Sequence, residues 1–167
     1  MNIIIKSTLN TLQQSKSLLE KLTDNQLSNT SISPYYSSIG SHFRHILDFY
    51  GCILNLNSEG LIDLTARTRN REVEKKCCET LVYLDKILEE LMSNQFEMNE
   101  TIDVIDDLGM GKIKMQYTMA SLFSQANSHT IHHYAIINYI LDGLRIPLED
   151  SDFGYNPTTP KVTFEIR

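Results

Sequence analysis

His129-Thr130-Ile131-His132-His133 sits inside an otherwise apolar segment that runs from about Met119 to Leu144, and three of the five histidines of the chain fall within it. On a helix, residues four apart are neighbours with Cβ atoms roughly 5–6 Å apart, so the His129 and His133 imidazoles can converge on one point. On a wheel at about 100° per residue, Leu122, Ala126, Ile136, Ile137, Ile140 and Leu144 fall within about 80° of His129, and His133 lies in the same stripe. His132 falls about 60° to the other side, at the stripe's margin, which suits a surface group or one that supports a ligand. A single buried histidine is ordinarily a core residue satisfied by a hydrogen bond. A pair at i and i+4 on an apolar stripe has the geometry of a shared metal ion, and such an ion needs a third ligand.

With 167 residues the chain is long enough for one substantial core, and a single domain over residues 1–167 is expected. Lys and Arg number 15 against 21 Asp and Glu, a net charge of -6, and no basic run occurs, so the electrostatic footprint of a nucleic-acid binder is missing. Met1-Asn2-Ile3-Ile4-Ile5-Lys6 has too short an apolar run for a secretory signal, and no stretch approaches the ~18 apolar residues of a membrane span. Neither nucleic acid nor a membrane is an expected partner. Cys52, Cys77 and Cys78 lack CxxC spacing and fit the reduced thiols of a cytoplasmic protein.

In chain order, Ile4, Ile5, Leu9, Leu12, Leu18, Leu19 and Leu22 predict a first helix, followed by a turn at Thr23-Asp24-Asn25 and a Ser/Asn-rich run to Pro34. A second helix is predicted from about Tyr36 to Asn57, carrying the remaining histidines, His42 and His45. Periodicity places His42 nearer the centre of the stripe formed by Ile39, Ile46 and Ile53, with His45 about 100° away. A bundle-core ligand can nonetheless reach in from the flank of a helix, so both stay open.

The helical period is lost from Ser58 to Asn70, where Asp63, Arg67 and Arg69 lie close together. A solvated connection is the plain reading; the alternative brings Arg67 or Arg69 to the bundle mouth to bind an anionic substrate or cofactor. Asn70 is a candidate N-cap for a third helix running to about Met92. Thr101-Ile102-Asp103-Val104 and Lys112 to Tyr117 then alternate around Gly109-Met110-Gly111, predicting a β-hairpin between helices three and four. Ile131 falls on the polar side of helix four, where a partner subunit or the tail would cover it. The class expected is all-α, a four-helix bundle with that small hairpin.

Ser38-Ile39-Gly40-Ser41-His42-Phe43-Arg44-His45-Ile46-Leu47-Asp48 and Ser128-His129-Thr130-Ile131-His132-His133-Tyr134-Ala135-Ile136, followed by Asp152-Phe153-Gly154, resemble the helix-two, helix-four and tail signatures of the DinB/YfiT-like family of metal-binding four-helix bundles. The resemblance implies a divalent metal, zinc or nickel, on three histidines with other positions open. The family's helix-two ligand precedes an Ile/Leu-Leu/Ala-Asp-like run, which carries over to His45, so the implied triad is His45, His129 and His133, with His42 as the alternative. Where one subgroup tends to carry Arg-Glu on the first turns of helix four, this chain has Ser121-Leu122.

An open three-histidine site would lower the pKa of a bound water or thiol. Relatives are similar to thiol-dependent enzymes, which implies a metal-dependent S-transferase using a low-molecular-weight thiol on a small-molecule substrate, in a homodimer. A metal-dependent hydrolase and a non-catalytic metal-binding, stress-associated dimer are the alternatives. The motif lacks the Glu of His-Glu-x-x-His, which disfavours a zinc-protease mechanism. Asp48, one turn after His45, is a candidate to orient that histidine.

Overall fold

The computed structural model describes residues 1–57 and 60–160, so residues 58–59 and 161–167 of the expected domain lie outside the described residues. In chain order the elements are α1 (Ile3–Leu19), a short α2 (Asp24–Leu27), α3 (Ile39–Leu54), β1 (Leu61–Asp63), α4 (Cys77–Ser93), β2 (Thr101–Asp107), β3 (Lys112–Thr118) and α5 (Met119–Gly143). Asn2 caps α1 by accepting from the Ile4 N–H, and Ser38 caps α3 by accepting from Ser41. Thr118 opens α5 with a capping box closed by Ser121. Thr23 forms a second box with Gln26, so the predicted Thr23-Asp24-Asn25 turn becomes one turn of helix.

The four long helices pack cyclically, α1 and α3 each against both α4 and α5. Leu12, Leu19, Phe43, Leu84, Phe123 and Ile137 close the centre, each at most 1% exposed. Full burial of side chains of this size stabilises by about 1.5–3 kcal/mol apiece.

The expected all-α four-helix bundle is overturned by a three-stranded mixed sheet of order β1-β2-β3 and a fifth helix. The hairpin forms as read, with Thr101 opposite Thr118 and Asp107 opposite Lys112, and it turns through Gly109 and Gly111 at positive φ. Unforeseen is β1, which pairs parallel to β2 from Leu61–Asp103 to Asp63–Ile105. A two-stranded hairpin alone is marginal, and a third strand with a buried face makes it a layer. Ile62, Leu64, Ile102 and Val104 supply that face, each at most 2% exposed. Three residues are too few to display a period of two, so the segment read as a solvated connection.

Helix α4 begins at Cys77, not behind Asn70. Asn70 instead accepts from the Glu72 N–H in a turn, and the Cys77 N–H is capped from a distance by Asp24 Oδ1 at 2.8 Å. Between them the chain crosses the first turn of α3 so closely that a Cβ on Gly40 would lie 2.1 Å from the Glu74 carbonyl oxygen. Only glycine admits that crossing. Among the described residues no helix is long and apolar enough to cross a membrane.

Candidate metal centre

The buried stripe of α5 is centred further round than the apolar letters suggest. Thr130 and Tyr134 are fully buried, while His129 and His133 are half-buried on the flank that faces α3. The hydroxyls of both are satisfied: Thr130 donates to the Ala126 carbonyl, and Tyr134 bonds the Thr11 carbonyl and Ser15 Oγ. The tail fixes this helix from outside. Phe153, 1% exposed, stacks on Tyr134 with ring centroids 4.3 Å apart, and Gly154, at φ 78°, passes so near Ala135 that a Cβ would lie 2.8 Å from its nitrogen. Ile131 borders a groove it shares with Gly154 and Tyr155, so the tail lies beside it.

Of the two α3 histidines, His45 joins the α5 pair. One nitrogen each of His45, His129 and His133 lies within 4.8 Å of the others, and His45 Nε2 stands 2.9 Å from His129 Nε2. The three ring centroids are 4.5–4.9 Å apart. Nitrogens held at about 2.0–2.1 Å by one tetrahedral ion would be about 3.3–3.4 Å apart, so small adjustments suffice and the residues fit a first-row ion. Burial makes protonation costly: it lowers His45 to about 4, with Arg67 adding repulsion, and His133 to about 2. His129 is lowered too, by burial and then Arg67. All three are therefore neutral at physiological pH, the state in which imidazole ligates.

His42, the other candidate, stands behind His133 instead. Its Nδ1 lies 2.8 Å from His133 Nδ1, and its Nε2 lies 2.8 Å from Ser37 Oγ. When the one proton between the two Nδ1 atoms sits on His133, its Nε2 is left with a free lone pair. His132 is exposed, its ring centroid 5.3 Å from that of His133.

The partner of His45 Nδ1 is Arg67, not Asp48: Arg67 Nη1 donates to it at 2.9 Å. Asp48, 1% exposed, is occupied elsewhere, accepting from Arg44 Nη1 at 2.9 Å, from the Arg69 backbone N–H at 3.2 Å and from Tyr83 Oη at 3.3 Å. Arg44 also donates to Glu74 at 2.7 Å. Asp48 thus clamps the connection to α3, and it holds Arg69 at φ 54° by its backbone while that side chain stays exposed. Sequence reasoning missed Ser37, Arg44, Glu74 and Tyr83. Arg44 with Asp48 at i, i+4 was the one available signal.

A cavity of about 600 Å³ opens between α3, α4 and the connection. Asp48, Cys52, Tyr83, Ala66 and Thr68 line it, so it lies beside the segment carrying Arg67, and the histidines themselves do not line it. Burial pushes the Cys52 thiol up to about 11 despite Arg67 nearby, and Cys77 likewise to about 11. At the head of α5, Ser121 is spent on the capping box and Leu122 is fully buried, so both positions serve the fold.

Compared with protein-family models, curated proteins and solved structures, the chain matches none.

Proposed function

We propose that this chain holds a divalent ion, zinc or nickel, on His45, His129 and His133 and serves a thiol-dependent transfer to a small-molecule acceptor. The observation that carries the reading is the convergence of three neutral imidazoles from two helices, a group to which the described residues add no cysteine or carboxylate. Structural zinc sites are usually closed by four protein ligands, whereas three leave a place for a reactant. Bound there, such an ion would lower the pKa of a coordinated water or thiol towards neutrality. The motif resemblance to DinB/YfiT-like proteins supports the same ligand set.

The chain's own groups define the rest. Its thiols at Cys52 and Cys77 are held protonated at neutral pH, and the reading assigns the reactive thiolate to a cosubstrate. Packing fixes the ligand-bearing helices: Tyr134 and Phe153 lock α5, and Phe49, with its centroid 5.2 Å from that of His129, walls the apolar side. The cavity between α3, α4 and the connection, lined by Ala66 and Thr68, has the size of a small-ligand site.

Elemental analysis of untagged protein purified without chelator tests the metal, with about one equivalent per chain expected. Protein lacking metal and unable to take up zinc or nickel would end the reading. The loaded protein is then assayed on electrophiles and on esters, with and without a small thiol. Thiol-dependent consumption of electrophile is expected. Thiol-independent ester cleavage would make it a hydrolase, and no turnover with any metal would leave a binding protein.

A further inference from the structure

His45 shows its two nitrogens to two different neighbours, Nε2 to His129 Nε2 and Nδ1 to Arg67 Nη1, both at 2.9 Å. A guanidinium carries five N–H donors and no acceptor, so His45 Nδ1 must offer its lone pair, and the neutral ring keeps its proton on Nε2. Nε2 is the atom that would have to offer a lone pair to an ion shared with His129. The other two histidines differ. His129 Nε2 accepts the His45 proton, so His129 carries its own on Nδ1, and His133 Nδ1 is engaged by His42. His129 is set for ligation through Nε2, and His45 is set against it.

In the ligating tautomer His45 would point an N–H from Nδ1 at the N–H of Arg67, donor against donor. The Arg67 bond and the ligand bond are therefore alternatives. Arg67 has a second anchor, Nε to the Leu64 carbonyl at 3.1 Å, which holds the stem in place whichever partner the Nη end takes. Among the described residues it belongs to no ion pair, whereas Arg44 nearby is shared between Asp48 and Glu74. A guanidinium released beside a cation needs an anion, and a carboxylate matches its fork with two parallel hydrogen bonds.

We propose that Arg67 is a two-position arm, bonded to His45 when no ion is held and released, once His45 ligates, to bind a carboxylate carried by the substrate or the thiol. The inference rests on the metal-centre reading and specifies its substrate class: small molecules with a carboxylate. Metal and carboxylate then raise each other's affinity by the same factor, and Arg67 transmits the coupling.

The test combines zinc titration calorimetry, in a buffer that fixes free zinc, with ¹⁵N spectra of the histidine rings. In zinc-free wild-type protein His45 is expected to carry its proton on Nε2, and on Nδ1 once zinc is added. Arg67→Met removes the competing donor and should bind zinc about tenfold more tightly, the scale of one hydrogen bond to a charged group. Acetate should raise zinc affinity in the wild type and lose that effect in Arg67→Met. Arg67→Lys, which keeps charge without the fork, should retain only part of it. A proton on His45 Nδ1 without zinc, unchanged or weaker zinc binding by Arg67→Met, or undiminished acetate coupling in it would overturn the arm. A wild type that binds no zinc, or a His129→Ala variant that binds it equally well, would bring down the metal centre and the arm together. The tautomer measurement uses the wild type, so it judges the arm even if a variant misfolds.

Discussion

His45 is where two unlike regions of the molecule meet. On one side, α3 and α5 present histidines from regular helices whose spacing converts residue number directly into position. On the other, residues 60–76 deliver Arg67 from a segment with only three residues of strand, tied down by groups far away in sequence: the Asp48 carboxylate, Gly40 and the β2 backbone. The helices determine which atoms can ligate. The connection determines the partner of His45 Nδ1. A site read only from its histidines would therefore miss the arginine bonded to one of them.

The largest effect should come from breaking the helical side. His133→Ala is expected to abolish stoichiometric zinc binding while far-UV circular dichroism stays helical; unchanged metal content would remove the triad. Next comes the clamp on the connection. Asp48→Ala takes the acceptor from Arg44 Nη1, the Arg69 N–H and Tyr83 Oη, while Arg44 keeps Glu74, and should cost about 1–3 kcal/mol in urea unfolding, the scale of buried donors left unsatisfied. A loss below about 0.5 kcal/mol would mean that the connection is held by the sheet alone.

The support behind His133 sharpens the contrast further. His42→Leu should weaken zinc about tenfold, as loss of a group orienting a ligand does, whereas His42→Asn, which keeps an acceptor near the Nδ1 position, should hold closer to wild type than His42→Gln. Equal behaviour of Asn and Gln would deny His42 this role.

Acid should act on the metal-free protein through the same cluster. Burial lowers His45 to about 4 and His133 to about 2, from about 6.5 unfolded. Below that value the unfolded chain binds protons the folded one refuses, so stability present above pH 6.5 is lost as pH falls towards 4. Chelator-treated protein should melt at lower temperature at pH 5 than at pH 7.5, by less in His133→Leu; a flat profile would contradict the burial of the rings. The smallest effect belongs to the outer face of the hairpin, where Lys114→Ala removes an exposed pair with Asp103 and should change stability by less than about 0.5 kcal/mol.

The long helices, the hairpin and the convergence of His129 with His133 were legible because each depends on local periodicity: 3.6 residues per turn and alternation of two. Sequence alone also confined the third histidine of the cluster to α3, and the motif resemblance favoured His45 where the wheel favoured His42. Tertiary structure decided between them, because α3 turns His45 towards α5 and leaves His42 behind His133. It also decided the class of the fold and the partner of His45 Nδ1. Strand β1 has no signal of its own and exists only because β2 offers it an edge. Asp48 lies four residues from Arg44 but 21 from the Arg69 backbone it holds, and Arg67 lies 22 from His45. Contacts of that reach leave no local pattern in a sequence; they are set by which surfaces remain to be buried once the helices have packed.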